Sequence, residues 1–473
     1  MKKLLAILAC VLFILSLFTA CANQSLSFQE TQAQELSNQS SNLYVSNLSS
    51  YVPLNQLTGG ASATEYNLLN TASSGIQCGE TELIQILKGA TLLAAGGGGS
   101  FRLGQSILEE FKLQNPDIPI QFEVYDASQM REGEHSFSVA IMGSPTAHAS
   151  AADLAKVSLM AYNETEALAN RFGKNPQYAL ALELGGANTL IPLLCAMKYN
   201  TKVLDADLCG RAVPGLETIL SSINNLPTAP FALTDSNGNS YDFIMSNPYD
   251  AVAVESSAVA ILNHLQTNGG VTGYYFDQNE INANIPTGTI TTCLQIGQCI
   301  EIFEAMTIEQ RKATPLFEML NQMNLGVRCA TLTERASTIR DFHQEPAGGG
   351  ARDKGYYYLG EEGTPGKDFF VQFNNESMAV SVLQEDGTYR CIATAPCIIT
   401  MYDENTGMPL TNADLKEQFL AGNGNSLNVV LGIVEVDYKW WNNPSAVTEA
   451  WRPYWVESGY TGELVRYSFS NPA

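Results

Sequence analysis

Three short stretches of the sequence set chemically useful side chains beside glycine. In Glu183-Leu184-Gly185-Gly186-Ala187-Asn188, a carboxyl, a glycine pair and an amide close an apolar run that begins at Tyr178. At the end of a strand such a set fits a ligand site on the C-terminal edge of an open sheet. Asn188 also has the chemistry of a plain helix N-cap. In Asp205-Ala206-Asp207-Leu208-Cys209-Gly210-Arg211, two carboxyls lie two residues apart with an arginine close behind. That pattern suits a divalent metal, an acid or base, or a structural ion-pair turn. The third stretch is Gly96-Gly97-Gly98-Gly99-Ser100. Consecutive glycines let the backbone approach a ligand, and the N–H groups of the helix that follows favour an anion. A tight helix–helix turn explains them equally well. The spacing is neither GxGxxG after a strand nor GxxxxGK[ST], which argues against a nucleotide.

Other chemistries find less support. His135, His148, His264 and His343 are not spaced as a metal pair, and there is no GxSxG elbow. No CxxC or CxxH spacing suggests zinc. Cys195 lies in an apolar run and reads as a small buried hydrophobe. Cys293 and Cys299, six residues apart on one expected helix, point in different directions. Cys391 and Cys397 flank a loop short enough to bridge.

Helices and strands must position these groups. Thr81 to Leu93 and Leu103 to Phe111 carry apolar residues at helical spacing on either side of the glycine run. Ile120–Tyr125, Phe137–Met142, Tyr178–Leu184 and Lys202–Asp205 read as strands, with helices over Ala151–Phe172 and Thr189–Tyr199 between them. The alternation predicts an α/β domain over 78–252 with a mostly parallel sheet. Beyond it, helical blocks give way to short alternating runs such as Ala379–Leu383 and Cys397–Tyr402. These predict a β-rich domain with helices over 253–445, then an aromatic tail over 446–473 that packs back on a domain.

The N-terminus has its own logic. Met1-Lys2-Lys3, an apolar run to Phe18 and Thr19-Ala20-Cys21 describe a lipoprotein signal peptide over 1–20. Cys21 is then the lipidated first residue of a protein on the bacterial cell envelope, in the outer or the inner membrane. Residues 21–77, rich in Ser, Asn and Gln, read as a tether with too little apolar content for a core. The net charge of −23 repels phosphate backbones and excludes nucleic acid as a partner. The expected partners are the membrane, through Cys21, and a small molecule; a homo-oligomer is left open.

The motifs together resemble the S-methyl-thiohydantoin desulfurase-like family, formerly domain of unknown function 917. Leu92 to Gly99 is similar to its opening motif. Glu183 to Asn188 with Pro192 looks like its E-x-G-G-x-N-x-x-x-P motif, and Asp205 to Pro214 its D-x-D-x-x-G-R-A-x-P motif. Phe373-Asn374-Asn375-Glu376 and Asp403 to Gly407 fit its second domain. The resemblance implies a Rossmann-like first domain, a β-rich second domain and a link to hydantoinase and oxoprolinase chemistry on a cyclic amide or thioamide. On that reading Asp205 and Asp207 hold a divalent metal or activate water, and Glu183 is acid or base. Arg211 binds a carboxylate or orients an aspartate. Gly97, Gly98, Gly99, Gly185, Gly186, Asn188, Asn375 and Glu376 bind the ligand. The chain departs from the pattern after Gly143-Ser144-Pro145, where relatives tend to carry a Glu-Lys pair and Thr146 to Ser150 has neither. Cys209 stands where Met is common. The departures favour a second reading, a lipoprotein that captures a small molecule without turnover.

Overall fold

The first sheet is built from eight strands: β1 (Ile76–Cys78), β2 (Phe122–Tyr125), β3 (His135–Met142), β4 (Pro176–Ala181), β5 (Lys202–Asp207), β6 (Phe231–Thr234), β7 (Ser240–Phe243) and β8 (Gly269–Gly273). These belong to a computed structural model that describes residues 75–143, 150–348, 352–420 and 427–469. The signal segment, Cys21 and nearly all of the expected tether lie outside the described residues.

The strand order is β1-β2-β5-β4-β3-β8-β6-β7. β2, β5, β4 and β3 run parallel, as the alternation of strands and helices predicts. The remaining pairings are antiparallel, so the sheet is mixed rather than mostly parallel. The reason lies in the connections. Helices Ala151–Arg171 and Leu190–Tyr199 cross over between β3, β4 and β5, whereas β6 and β7 are joined by a short turn that permits only a hairpin. β8 wedges between β3 and β6 from beyond residue 252. Its sequence, Gly269-Gly270-Val271-Thr272-Gly273, has too few side chains to alternate visibly. Glycine is required there: a Cβ at Gly270 would run into the Val157 carbonyl of the covering helix.

Helix α1 (Glu80–Leu93) and helix α2 (Phe101–Gln114) flank the glycine loop. α1 lies along α3 (Thr289–Ala305) with Gly89 against the Cys293 carbonyl and Gly297 against the Gln85 carbonyl. The far end of α1 meets the second domain, where the Thr400 hydroxyl donates to the Leu92 carbonyl at 2.6 Å. α1 therefore ties the two halves together.

The second domain holds β9 (Cys329–Thr331), β10 (Arg340–Ala347), β11 (Arg352–Gly360), β12 (Asp368–Asn374), β13 (Glu376–Leu383), β14 (Tyr389–Thr394), β15 (Ile398–Asp403), β16 (Pro409–Leu410) and β17 (Val429–Val434). β10 to β14 form an antiparallel meander, and β16-β15-β17-β9 a second antiparallel sheet. Their inner faces share a core that includes Tyr357, Phe373, Val380, Ile399 and Leu431. Helix α4 (Asn412–Leu420) follows β16, and helix α5 (Pro444–Glu457) carries the aromatic tail. Trp440, Trp451 and Trp455 are fully buried, and the Trp440 indole donates to the Cys209 carbonyl at 2.9 Å. The eight cysteines from Cys78 to Cys397 are all free, so Cys391 and Cys397 do not bridge. Among the described residues, no helix is long and apolar enough to cross a membrane.

Candidate functional site

A cavity of about 700 Å³ opens where the C-terminal edge of the parallel strands faces the second domain. One wall is the glycine loop and the start of α2, with Glu183, Asn188 and the segment Val213–Leu216. The other comes from the β12–β13 turn, the head of β11 and the first turn of α4.

Glu183 stands at the end of the β4 run and is held by two neutral donors. Its Oε1 accepts from the Asn188 amide and its Oε2 from the Val213 N–H, both at 2.7 Å. The Asn188 oxygen accepts in turn from the Ile141 N–H at 3.1 Å, so it fixes Glu183 to β3. Asn188 thus supports the carboxyl and does not cap the helix, whose N-cap position is Thr189. Burial pushes Glu183 up to about 7, against the pull of its two donors and of Arg211.

Glu376 enters from the second domain. The β12–β13 connection needs one residue with positive φ, and Asn375 supplies it at 58°. Asn375 exchanges bonds with Asp353, through its N–H at 2.7 Å and its side-chain oxygen at 3.0 Å. The turn is clamped to the glycine loop: the Ser377 N–H donates to the Ala95 carbonyl at 2.7 Å, and the Asn412 N–H to the Gly96 carbonyl at 2.9 Å. Glu376 is buried and its Oε2 has no partner among the described residues. Burial, then the neighbouring Glu183 carboxyl, pushes it well above the usual carboxylate range, while Arg211 pulls the other way. Gly97 leaves room for the Glu376 carboxyl, which any Cβ there would push aside.

The other glycines divide by role. The N–H groups of Gly98 and Gly99 meet no acceptor among the described residues, and both residues line the cavity. Their carbonyls are used: Gly98 accepts from the Ala187 and Asn188 N–H groups at 3.2 Å, and Gly99 from that of Gly186 at 2.9 Å. Gly185 and Gly186, expected to bind ligand, instead let this backbone approach and do not line the cavity.

Asp205, Asp207 and Arg211, expected at the chemical centre, also lie outside the cavity lining. Asp205 caps α3, accepting from the Thr291 N–H at 2.9 Å and its hydroxyl at 2.5 Å. Burial raises its pKa above the ordinary value. Asp207 closes a turn by accepting from the Cys209 N–H at 2.9 Å and the Gly210 N–H at 2.6 Å. Burial pushes it up to about 7. Asp205 and one oxygen of Asp207 are taken by protein donors, while Asp207 Oδ1 has no partner among the described residues. No cluster of three His, Cys, Asp or Glu able to hold a metal occurs among the described residues. Arg211 is fully buried and donates to the carbonyls of Ala212 and Cys397, each at 2.8 Å. It lies 4.9 Å from the Trp451 ring, and burial lowers it to about 10. It joins the two domains behind the carboxyl pair.

Cavity residues not singled out from the sequence include Glu255, Arg352 and Asn412. Glu255, a lone carboxyl in the apolar helix Ala251–Leu265, accepts from the Leu216 N–H at 3.3 Å. Burial, then Glu217 nearby, pushes it up to about 7. A single acid amid Ala and Val was a readable signal. Arg352 and Asn412 gave none.

The fold defines a two-domain protein with a cavity between an α/β half and a β-rich half. Residues 81–244 match the S-Me-THD-like, N-terminal domain, and residues 249–420 the S-Me-THD-like, C-terminal domain. The chain belongs to this S-methyl-thiohydantoin desulfurase-like family. A crystal structure of a protein from Chromobacterium violaceum has a similar fold, with a TM-score of 0.66 at 20% identity, covering 82% of this chain and 99% of that one. No curated protein sequence matches the chain.

Proposed function

We propose that the cavity binds a small cyclic amide or thioamide of the hydantoin class and hydrolyses it, with Glu183 and Glu376 moving the protons. The supporting observation is that these two buried carboxyls line one cavity, burial raises both, and the Glu183 carboxyl raises Glu376 further. Two such groups hold a proton between them near neutral pH. Glu183, the better stabilised as an anion, takes a proton from water as its oxygen attacks the ring carbon. The free N–H groups of Gly98 and Gly99 donate to the oxyanion that forms. Glu376 gives its proton to the departing nitrogen or sulfur. The signal segment supports a location on the cell envelope, anchored through Cys21. In the second reading the cavity captures its ligand without turnover, which the missing Glu-Lys pair favours.

The test is turnover of a hydantoin and thiohydantoin panel by the wild type, Glu183→Gln and Glu376→Gln. At least a hundred-fold loss in both folded variants is expected. Unchanged turnover in either would remove it from the mechanism. Binding without turnover by the wild type supports the second reading.

A further inference from the structure

The cavity wall is short of positive charge and of free side-chain donors. Glu183, Glu255, Asp353, Glu376, Asp414 and Glu417 line it, six carboxyls against the three cations Arg102, Arg352 and Lys416. Each cation is already paired: Arg102 with Asp414 and Glu417, Arg352 with Glu457, and Lys416 with Asp353 at 3.9 Å. The buried side-chain atoms on this wall that lack a partner are all acceptors. They are Glu376 Oε2, Asn412 Oδ1, Asn268 Oδ1 and Gln344 Oε1. Glu376 and Asn412 are only 2% and 5% exposed. The Asn412 orientation is set by its own network, since its amide nitrogen donates to the Asn375 carbonyl at 2.7 Å and leaves the oxygen free.

A buried acceptor without a donor lowers stability, and a bound group that supplies the donor restores it. A neutral donor would satisfy the amide oxygens. Glu183 and Glu376, holding one proton between them, still keep one negative charge out of water, and that calls for a cation as well. We infer that the ligand of this cavity carries a positively charged nitrogen, a protonated amine or amidine, whose N–H groups reach Glu376 Oε2 and Asn412 Oδ1. The inference rests on the cavity being the ligand site proposed above, and it narrows the heterocycle to one with a cationic substituent. Anionic ligands would meet the unpaired carboxyls and be rejected.

The test is calorimetric binding to the wild-type protein of three hydantoins alike in ring and chain length, ending in an ammonium, a methyl or a carboxylate, with butylamine as a fourth probe. The ammonium compound is expected to bind at least ten-fold tighter than the methyl compound, and the carboxylate weakest. In Glu376→Gln, checked for folding by circular dichroism, the ten-fold gap should close to within about three-fold. Equal binding of the three hydantoins, tighter binding of the carboxylate, or no binding by any probe overturns the inference. Should the variant not fold, the wild-type comparison decides alone. The two claims fail differently: hydantoins bound without regard to charge keep the heterocycle and sink the cation, whereas butylamine bound with no hydantoin does the reverse.

Discussion

Replacing Asp207 by asparagine separates a structural from a chemical role for the aspartate motif. The carboxyl is fully buried, with one oxygen on the Cys209 and Gly210 N–H groups and the other without a partner. The Thr289 hydroxyl, also unpartnered, lies close enough to favour the anion without forming a bond. The pKa of Asp207 moves from 3.8 in the free acid to about 7 in the folded protein. That difference corresponds to about 4 kcal/mol. The sign follows from proton uptake. Below about pH 4 both folded and unfolded chains hold the proton. Between about pH 4 and 7 the unfolded chain releases it and the folded chain does not, so stability falls as pH rises. Above about 7 the loss is complete. The amide in Asp207→Asn would keep the acceptor, offer Thr289 a donor and carry no ionisation. The stability gained by Asp207→Asn over the wild type should therefore widen by about 3 kcal/mol from pH 5 to pH 8. Urea unfolding of both proteins at the two pH values measures it, and groups common to both cancel. A gap that stays flat or narrows refutes the placement of the charge. A folded Asp207→Asn protein that loses turnover of a substrate the wild type accepts would return Asp207 to the chemistry.

Other expectations follow from the same geometry. Glu183, Asp207 and Glu255 are each held near 7, so the wild-type urea midpoint should decline between pH 5 and pH 8; a rise across that window contradicts their burial. Gly97→Ala should fold yet lose ligand binding in calorimetry, because the added methyl displaces the Glu376 carboxyl. Arg211→Ala strips donors from the Ala212 and Cys397 carbonyls and empties a packed site, for a loss of about 3 kcal/mol in urea unfolding. The proposed lipid anchor, which rests on the sequence alone, is tested by Cys21→Ser: it should abolish incorporation of radiolabelled fatty acid in bacteria and move the protein from the membrane to the soluble fraction.

The sequence made residue types and strand ends legible, and side-chain directions much less so. Glu183 and Asn188 were readable as a site because a carboxyl and an amide bracket glycines at the end of an apolar strand. Asp205, Asp207 and Arg211 showed the same local pattern, but their partners are Thr291, Cys209, Gly210 and Cys397. No local spacing reveals that the Cys397 carbonyl, far along the chain, accepts from Arg211. Glu376 entered only through family resemblance, since the turn that carries it reaches the glycine loop across the domain boundary. Arg352 and Asn412 were invisible for the same reason. The parallel core of the sheet was legible from alternating strands and helices. The antiparallel β8 was not, because three of its five residues are glycine and leave no pattern of side chains.

The eight free thiols give the protein a set of internal clocks. Only the thiolate reacts with alkylating reagents, and burial pushes Cys78 up to about 12 and Cys397 up to about 11. In the native state the seven buried thiols should be labelled only when their surroundings open, whereas the half-buried Cys391 needs less opening. Cys78, Cys195 and Cys209 sit in the first domain, Cys293 and Cys299 on α3, and Cys329, Cys391 and Cys397 in the second domain. The order in which mass spectrometry finds them modified would rank the breathing of the sheet, the central helix and the β-rich half. A ligand that bridges the two walls should slow Cys209 and Cys397 together, turning an unmodified protein into its own footprint of closure.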